Sequence, residues 1–140
     1  MLTWLDERKY DIIFLQETYS TLDVENIHPI SNIWKTQWQG KLQFAHGSNH
    51  SCGVMILLRS DLDISIKSVN LDSEGRSIIM EADVQGSLFL FVNIYAPNKV
   101  QDQCQLFDNL NKKIEDFVVN KEHRIILGGD FNVTFDSSNF

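Results

Sequence analysis

Apolar residues change rhythm along this chain, and the changes outline its elements. Val54-Met55-Ile56-Leu57-Leu58 is apolar at every position, and similar short runs recur in residues 77–84 and 87–94. Ile64, Ile66 and Val69 begin another strand, while Gly75 and Gln85-Gly86 punctuate the series. Short apolar runs bounded by turn residues are strand patterns, so residues 52–94 predict a meander of antiparallel strands. Residues 10–16, with Ile12-Ile13-Phe14-Leu15 unbroken, predict a buried strand, and residues 124–127 another. Over residues 102–120 the period lengthens: Phe107, Leu110, Ile114, Phe117 and Val118 fall mostly three or four apart, the stripe of an amphipathic helix. Residues 2–9 read as the tail of a helix, 18–29 as a polar loop with a short helix, and 34–44 as a hairpin turning at Gly40-Lys41. Helix and sheet then pack as layers around one core.

Composition narrows the picture. The 140 residues are 43% hydrophobic and 22% charged, which suits a single soluble domain spanning 1–140. A net charge of −7 excludes a protein that grips nucleic acid through a broad basic surface. It leaves room for a metal-dependent nuclease, which brings positive charge to the phosphate as a divalent cation. Cys52 and Cys104 are far apart and fit no metal-ligand spacing, so they are expected as thiols in a reducing compartment, cytoplasmic or nuclear. No apolar run approaches the roughly 20 residues that span a bilayer, and no membrane association is expected. Residues 1–7 lack the flank and apolar stretch of a secretory signal. Oligomeric state is not readable at this level.

The candidate chemistry gathers at strand ends. Gln16-Glu17 follows one strand, Asn93-Ile94-Tyr95-Ala96-Pro97-Asn98 another, and Gly128-Gly129-Asp130-Phe131-Asn132 a third, while Gly53 opens a fourth. In an extended segment the side chains of Asp130 and Asn132 share a side and Phe131 faces the core. Rigid sheets position groups at such ends while loops leave room for substrate, so one shared rim is expected. Taken singly, each residue has a plainer reading: Glu17 a solvated acid, Asp130 and Asn132 an Asx turn, Tyr95 a packed aromatic.

Taken in order, Leu15-Gln16-Glu17-Thr18, Gly53-Val54-Met55-Ile56-Leu57, Glu74-Gly75-Arg76, residues 93–98 and residues 128–132 resemble the endonuclease/exonuclease/phosphatase superfamily of metal-dependent phosphoesterases. The likeness is strongest to the endonuclease domain of non-LTR retrotransposons, which accompanies a reverse transcriptase. It implies an α/β fold, a four-layer α/β/β/α sandwich with mostly antiparallel sheets, truncated here. It implies that Glu17 binds the catalytic Mg²⁺ (or Mn²⁺), a hard cation that prefers oxygen. Asp130 resembles the aspartate that positions and activates the attacking water, and Asn132 the asparagine that hydrogen-bonds the phosphate. Tyr95 resembles the tyrosine whose hydroxyl faces the scissile phosphate. Asn98 resembles the asparagine that braces the neighbouring loop and, with Asn132, completes the phosphate-binding set. The Arg76 guanidinium suits a phosphate contact, yet Glu74 nearby offers it an ion pair, and a structural role is favoured. His28, His46, His50 and His123 match no catalytic position.

The implied activity is Mg²⁺-assisted hydrolysis of a DNA phosphodiester, water attacking phosphorus as the 3′ oxygen leaves. DNA is the implied partner of a complete domain. The likeness also has gaps: the family's first strand with its metal-side asparagine, a further aspartate and a closing Ser-Asp-His segment have no counterpart between Met1 and Phe140. Groups that act as a unit lose activity together, so this chain alone is expected to be inactive. A phosphatase acting on a small phosphoester and a non-catalytic remnant that binds a partner are the rival readings.

Overall fold

The computed structural model describes residues 2–20, 37–47 and 52–133. Helix α1 (Leu2–Arg8) leads into β1 (Ile12–Leu15), and β2 (Lys41–Ala45) and β3 (Val54–Leu58) follow. Next come β4 (Ile64–Leu71), β5 (Ser77–Val84) and β6 (Ser87–Tyr95), then helix α2 (Val100–Val118) and β7 (Arg124–Asp130). The strands form two sheets, ordered β1-β3-β2 and β4-β5-β6-β7.

The meander expected over 52–94 holds only for β4, β5 and β6, which pair antiparallel in sequence order. β3 belongs to the other sheet, antiparallel to both β1 and β2. A strand apolar at every position must be covered on both faces and flanked on both edges, and β3 finds its flanks in the strand before it, β2, and in the distant β1. Residues 59–63 therefore cross from one sheet to the other instead of turning a hairpin. The hairpin expected over 34–44 is corrected likewise: its second arm is β2, paired with β3, while residues 34–36 lie outside the described residues. So does most of the 18–29 loop. β7 runs parallel to β6, with Phe91 opposite Ile126 and Tyr95 opposite Asp130, and α2 is the crossover that a parallel pair needs.

Alternation along the strands sorts side chains into three apolar layers between four layers of structure. Val54, Ile56 and Leu58 of β3 face Ile78, Met80 and Ala82 of β5 and Phe91 of β6 between the sheets. Met55 and Leu57 face the other way, toward Leu5 of α1 with Trp38 and Phe44. Ile79, Leu90, Val92 and Ile94 meet Leu110 and the partly buried Phe107, Ile114 and Phe117 of α2. Burying each such side chain is worth about 1.5–3 kcal/mol, so the central layer dominates cohesion. The α/β/β/α sandwich with mostly antiparallel sheets follows directly. α2 begins at Val100, earlier than its apolar stripe suggests, because its opening residues Val100 and Gln101 are exposed and carry no periodic signal; Asp102 stands in the first turn. Among the described residues no helix is long and apolar enough to cross a membrane.

Candidate active site

β1 and β6 end, and β3 begins, along one edge: Leu15 pairs with Met55, and Tyr95 at the end of β6 lies opposite Asp130 at the end of β7. Just past β1, Glu17 adopts φ +52°, a left-handed turn that ends the extended run. The loop beyond is tied to the start of β3, since Thr18 N donates to Gly53 O (3.0 Å) and Tyr19 N to Cys52 O (3.2 Å). Gly53 N in turn donates to Gly75 O (3.0 Å), fastening this corner to the β4–β5 turn.

Glu17 is exposed and accepts a hydrogen bond at Oε1 from the hydroxyl of Tyr95. The contact joins the two sheets at their rim. Tyr95 packs its ring against the central layer, and the Arg76 guanidinium lies over that ring, 5.2 Å from its centroid. The Glu17 hydrogen bond, followed by burial, pushes the Tyr95 phenol up to about 12. Tyr95 therefore keeps its proton across the neutral range and acts as a donor. The pairing of Arg76 with Glu74 expected from sequence does not form: among the described residues no ion pair joins them, and the aromatic face takes the guanidinium instead.

Asp130, exposed at the end of β7, accepts a hydrogen bond at Oδ1 from Asn132 N (3.0 Å), and its carbonyl accepts one from Ala96 N (2.8 Å). The Asx turn is thus present, within the cluster. The extended geometry assumed for Asp130 and Asn132 is corrected here: Asn132 has φ +49°, so its side chain leaves the strand direction and donates from Nδ2 to Ala96 O (2.6 Å). Phe131 turns inward and stacks on Phe107 of α2, with centroids 6.3 Å apart. Gly129 has φ +140°, and a β-carbon there would stand 2.0 Å from Ile94 O, which explains the glycine.

Four of the five residues singled out from sequence, Glu17, Tyr95, Asp130 and Asn132, thus stand together. Asn98 is exposed on the loop that follows, and the bracing expected of it is performed by Gln103, whose Nε2 donates to Pro97 O (2.8 Å) and Asn132 O (2.9 Å). Gln103 was hidden in the sequence because a glutamine in a helix reads as surface. Asn93 stands in the 93–98 motif, but no role was assigned to it from sequence: fully buried on β6, it makes hydrogen bonds to the opposite sheet.

Among the described residues no cluster of three or more His, Cys, Asp or Glu side chains is arranged to hold an ion. A lone exposed carboxylate does fit Mg²⁺, which is commonly held by one or two carboxylates while water and substrate phosphate complete its shell. The nitrogen- and sulfur-rich tetrahedral set that zinc prefers is not present among the described residues. Beside the rim lies a cleft of about 420 Å³ lined by Arg76, Pro97, Asp72, Glu74, Asp102 and neighbouring α2 residues. It adjoins the Glu17–Tyr95 contact without containing it.

A sequence model of the Endonuclease/Exonuclease/phosphatase family matches residues 1–140. The chain belongs to that family. Among curated proteins it is 28% identical over 137 residues to the transposon TX1 uncharacterized 149 kDa protein of Xenopus laevis, covering 98% of this chain and 10% of that protein. D. rerio TDP2, solved in complex with a single-strand DNA product, superposes with a TM-score of 0.66 at 17% identity over 95% of this chain and 52% of its own. ANGEL2, a 2′,3′-cyclic phosphatase solved with adenosine-2′,3′-vanadate, gives 0.68 at 14% identity over 94% and 42%. The chain spans a tenth of its Xenopus relative and about half of these family structures. At those identities the structures establish the shared family fold.

Proposed function

We propose that this chain carries the cation-holding and water-orienting part of a Mg²⁺-dependent DNA endonuclease of the retrotransposon type. The observation that carries the reading is the meeting of Glu17 and Tyr95 from opposite sheets, with Asp130 in register beside Tyr95. The transposon relative from Xenopus favours the retrotransposon setting, and the DNA product held by D. rerio TDP2 favours a nucleic-acid substrate.

Held by Glu17, Mg²⁺ would supply at the scissile phosphate the positive charge that a chain of net charge −7 lacks. Asp130 accepts the proton of the attacking water as the new P–O bond forms and the bond to the 3′ oxygen breaks. The leaving oxygen departs with its electron pair and takes a proton from solvent. The single O–H of Tyr95, which donates to Glu17 here, would turn to a non-bridging oxygen once Glu17 holds the cation, as negative charge accumulates on the phosphate. Asn132 holds the Asp130 carboxylate through its backbone N–H and the 96–97 loop through its side chain.

The test offers supercoiled plasmid and a small phosphomonoester to the protein carrying this chain, with Mg²⁺, alongside Glu17→Gln. Nicking that disappears in Glu17→Gln supports the proposal. Release of phosphate from the small ester without nicking would replace it with the phosphatase reading. Inactivity on both, combined with no Mg²⁺-dependent rise in melting temperature, would leave a non-catalytic remnant.

A further inference from the structure

Among the described residues, Asn93 of β6 brings a buried amide to the apolar layer between the sheets. Its side chain is fully buried, and three hydrogen bonds leave it for the opposite sheet. Nδ2 donates to Leu15 O of β1 (3.0 Å) and to Met55 O of β3 (2.9 Å), while Oδ1 accepts from Gln16 Nε2 (2.7 Å). Leu15 and Met55 are themselves partners across β1 and β3, so one amide grips two adjacent strands at once.

Apolar side chains between sheets resist separation but define sliding poorly, because dispersion and burial have little direction. A buried amide with three fixed partners is directional. A shift of either sheet leaves its polar groups unpaired, and a buried polar group without a partner keeps its full desolvation penalty. The position of this amide is what gives it consequence: Tyr95 lies two residues beyond Asn93 on the same face of β6, and Glu17 directly follows Gln16.

We infer that Gln16 and Asn93 are positioning residues that lock the two sheets in the one alignment where the Glu17 carboxylate meets the Tyr95 hydroxyl. The role rests on the proposed function only in what the alignment is for, since the alignment itself is testable without turnover. Asn93 touches neither metal nor substrate. It acts through Glu17 and Tyr95, as outer partners that orient a metal ligand do, and loss of such a partner typically weakens metal binding about 10–100-fold.

The test uses Asn93→Asp, which keeps the acceptor and removes both donors, and Gln16→Leu, nearer the surface, as the variant that folds if Asn93→Asp does not. Ile56→Val serves as a control that loosens the same layer without touching the amides. Two quantities are followed in the whole chain: the Mg²⁺ concentration at half-maximal thermal stabilisation, and the NMR signal of ring-labelled Tyr95, assigned with Tyr95→Phe. The amide variants are expected to raise the Mg²⁺ midpoint about tenfold and move the Tyr95 signal toward that of a solvated tyrosine, while Ile56→Val lowers the melting temperature and moves neither. Amide variants that melt lower yet keep the parent midpoint and Tyr95 signal would overturn the inference, as would equal movement in Ile56→Val. If Mg²⁺ does not stabilise the parent, the functional proposal fails, and the Tyr95 signal alone still decides the positioning role.

Discussion

Glu81 and Glu17 are both carboxylates at the strands of this molecule, and their surroundings could hardly differ more. Glu81, 5% exposed in β5, receives Lys121 Nζ (2.7 Å) and His123 Nε2 (2.9 Å) at Oε1 and Ser68 Oγ (3.1 Å) at Oε2. Lys121 chiefly, helped by His123 and Ser68 and opposed by burial, holds its carboxyl down at about 2. Glu17 stands exposed and takes its hydrogen bond from a neutral phenol, and among the described residues no cation pairs with it. A neutral donor orients a carboxylate without cancelling its charge. Glu81 is therefore satisfied internally, whereas Glu17 has no internal cation beside it among the described residues, as the proposed cation site requires. The comparison separates a structural ion cluster from a site more sharply than residue type or burial alone.

The sharpest way to break that contrast is to neutralise each carboxylate in turn. Glu17→Gln should abolish Mg²⁺-dependent stabilisation and lower any phosphodiester hydrolysis by a hundredfold or more, with little change in metal-free melting because the side chain is exposed. Glu81→Gln should leave the Mg²⁺ response intact. A Mg²⁺ response that survives Glu17→Gln and vanishes with Glu81→Gln would reverse the two roles.

Stability should show the opposite ranking. Glu81→Gln leaves the Lys121 ammonium and the fully buried His123 side chain without their acceptor charge, at a cost on the order of 2–3 kcal/mol read from urea unfolding. Gly129→Ala tests the rim itself: the added β-carbon collides with Ile94 O and must push β7 from β6, for about 2 kcal/mol. An alanine variant as stable as the parent would mean that the close approach of β7 to β6 is not needed.

How far the sequence anticipated all this follows from what each signal measures. β5, β6 and α2 were legible because local periodicity reports which face is covered, and Glu17, Tyr95 and Asp130 were legible because ordered motifs name residues before geometry is known. The partner of a strand is not a local property. Leu15 pairing with Met55 is a contact across 40 residues, and β2 precedes β3 without a turn recognisable from sequence between them, so β3 was assigned to its following neighbour β4. The left-handed turn at Asn132 escaped for a related reason: Asp, Asn and Gly tolerate several backbone shapes, and the contact of Asn132 with Ala96 O selects one. The half-exposed run Ile125, Ile126 and Leu127 of β7 reads like a buried strand by composition, yet among the described residues it has a strand neighbour on one side only.

The smallest effect, and the most selective, lies in the acid range. The Glu81 carboxyl ordinarily titrates near 4.5 and is held at about 2 in the fold, so folding favours its ionised form. That stabilisation is complete above about pH 4.5 and is lost as pH falls through about 2. Lys121 is half exposed, and solvent screening reduces the contribution to about 1–2 kcal/mol. The difference in unfolding free energy between the parent and Glu81→Gln, followed by urea at fixed pH, should therefore narrow steadily from pH 5 toward 2. A Glu81→Gln gap that stays constant from pH 7 to 2 would show that the glutamate stabilises by shape rather than by charge, and the distinction drawn between the two carboxylates would lose its electrostatic basis.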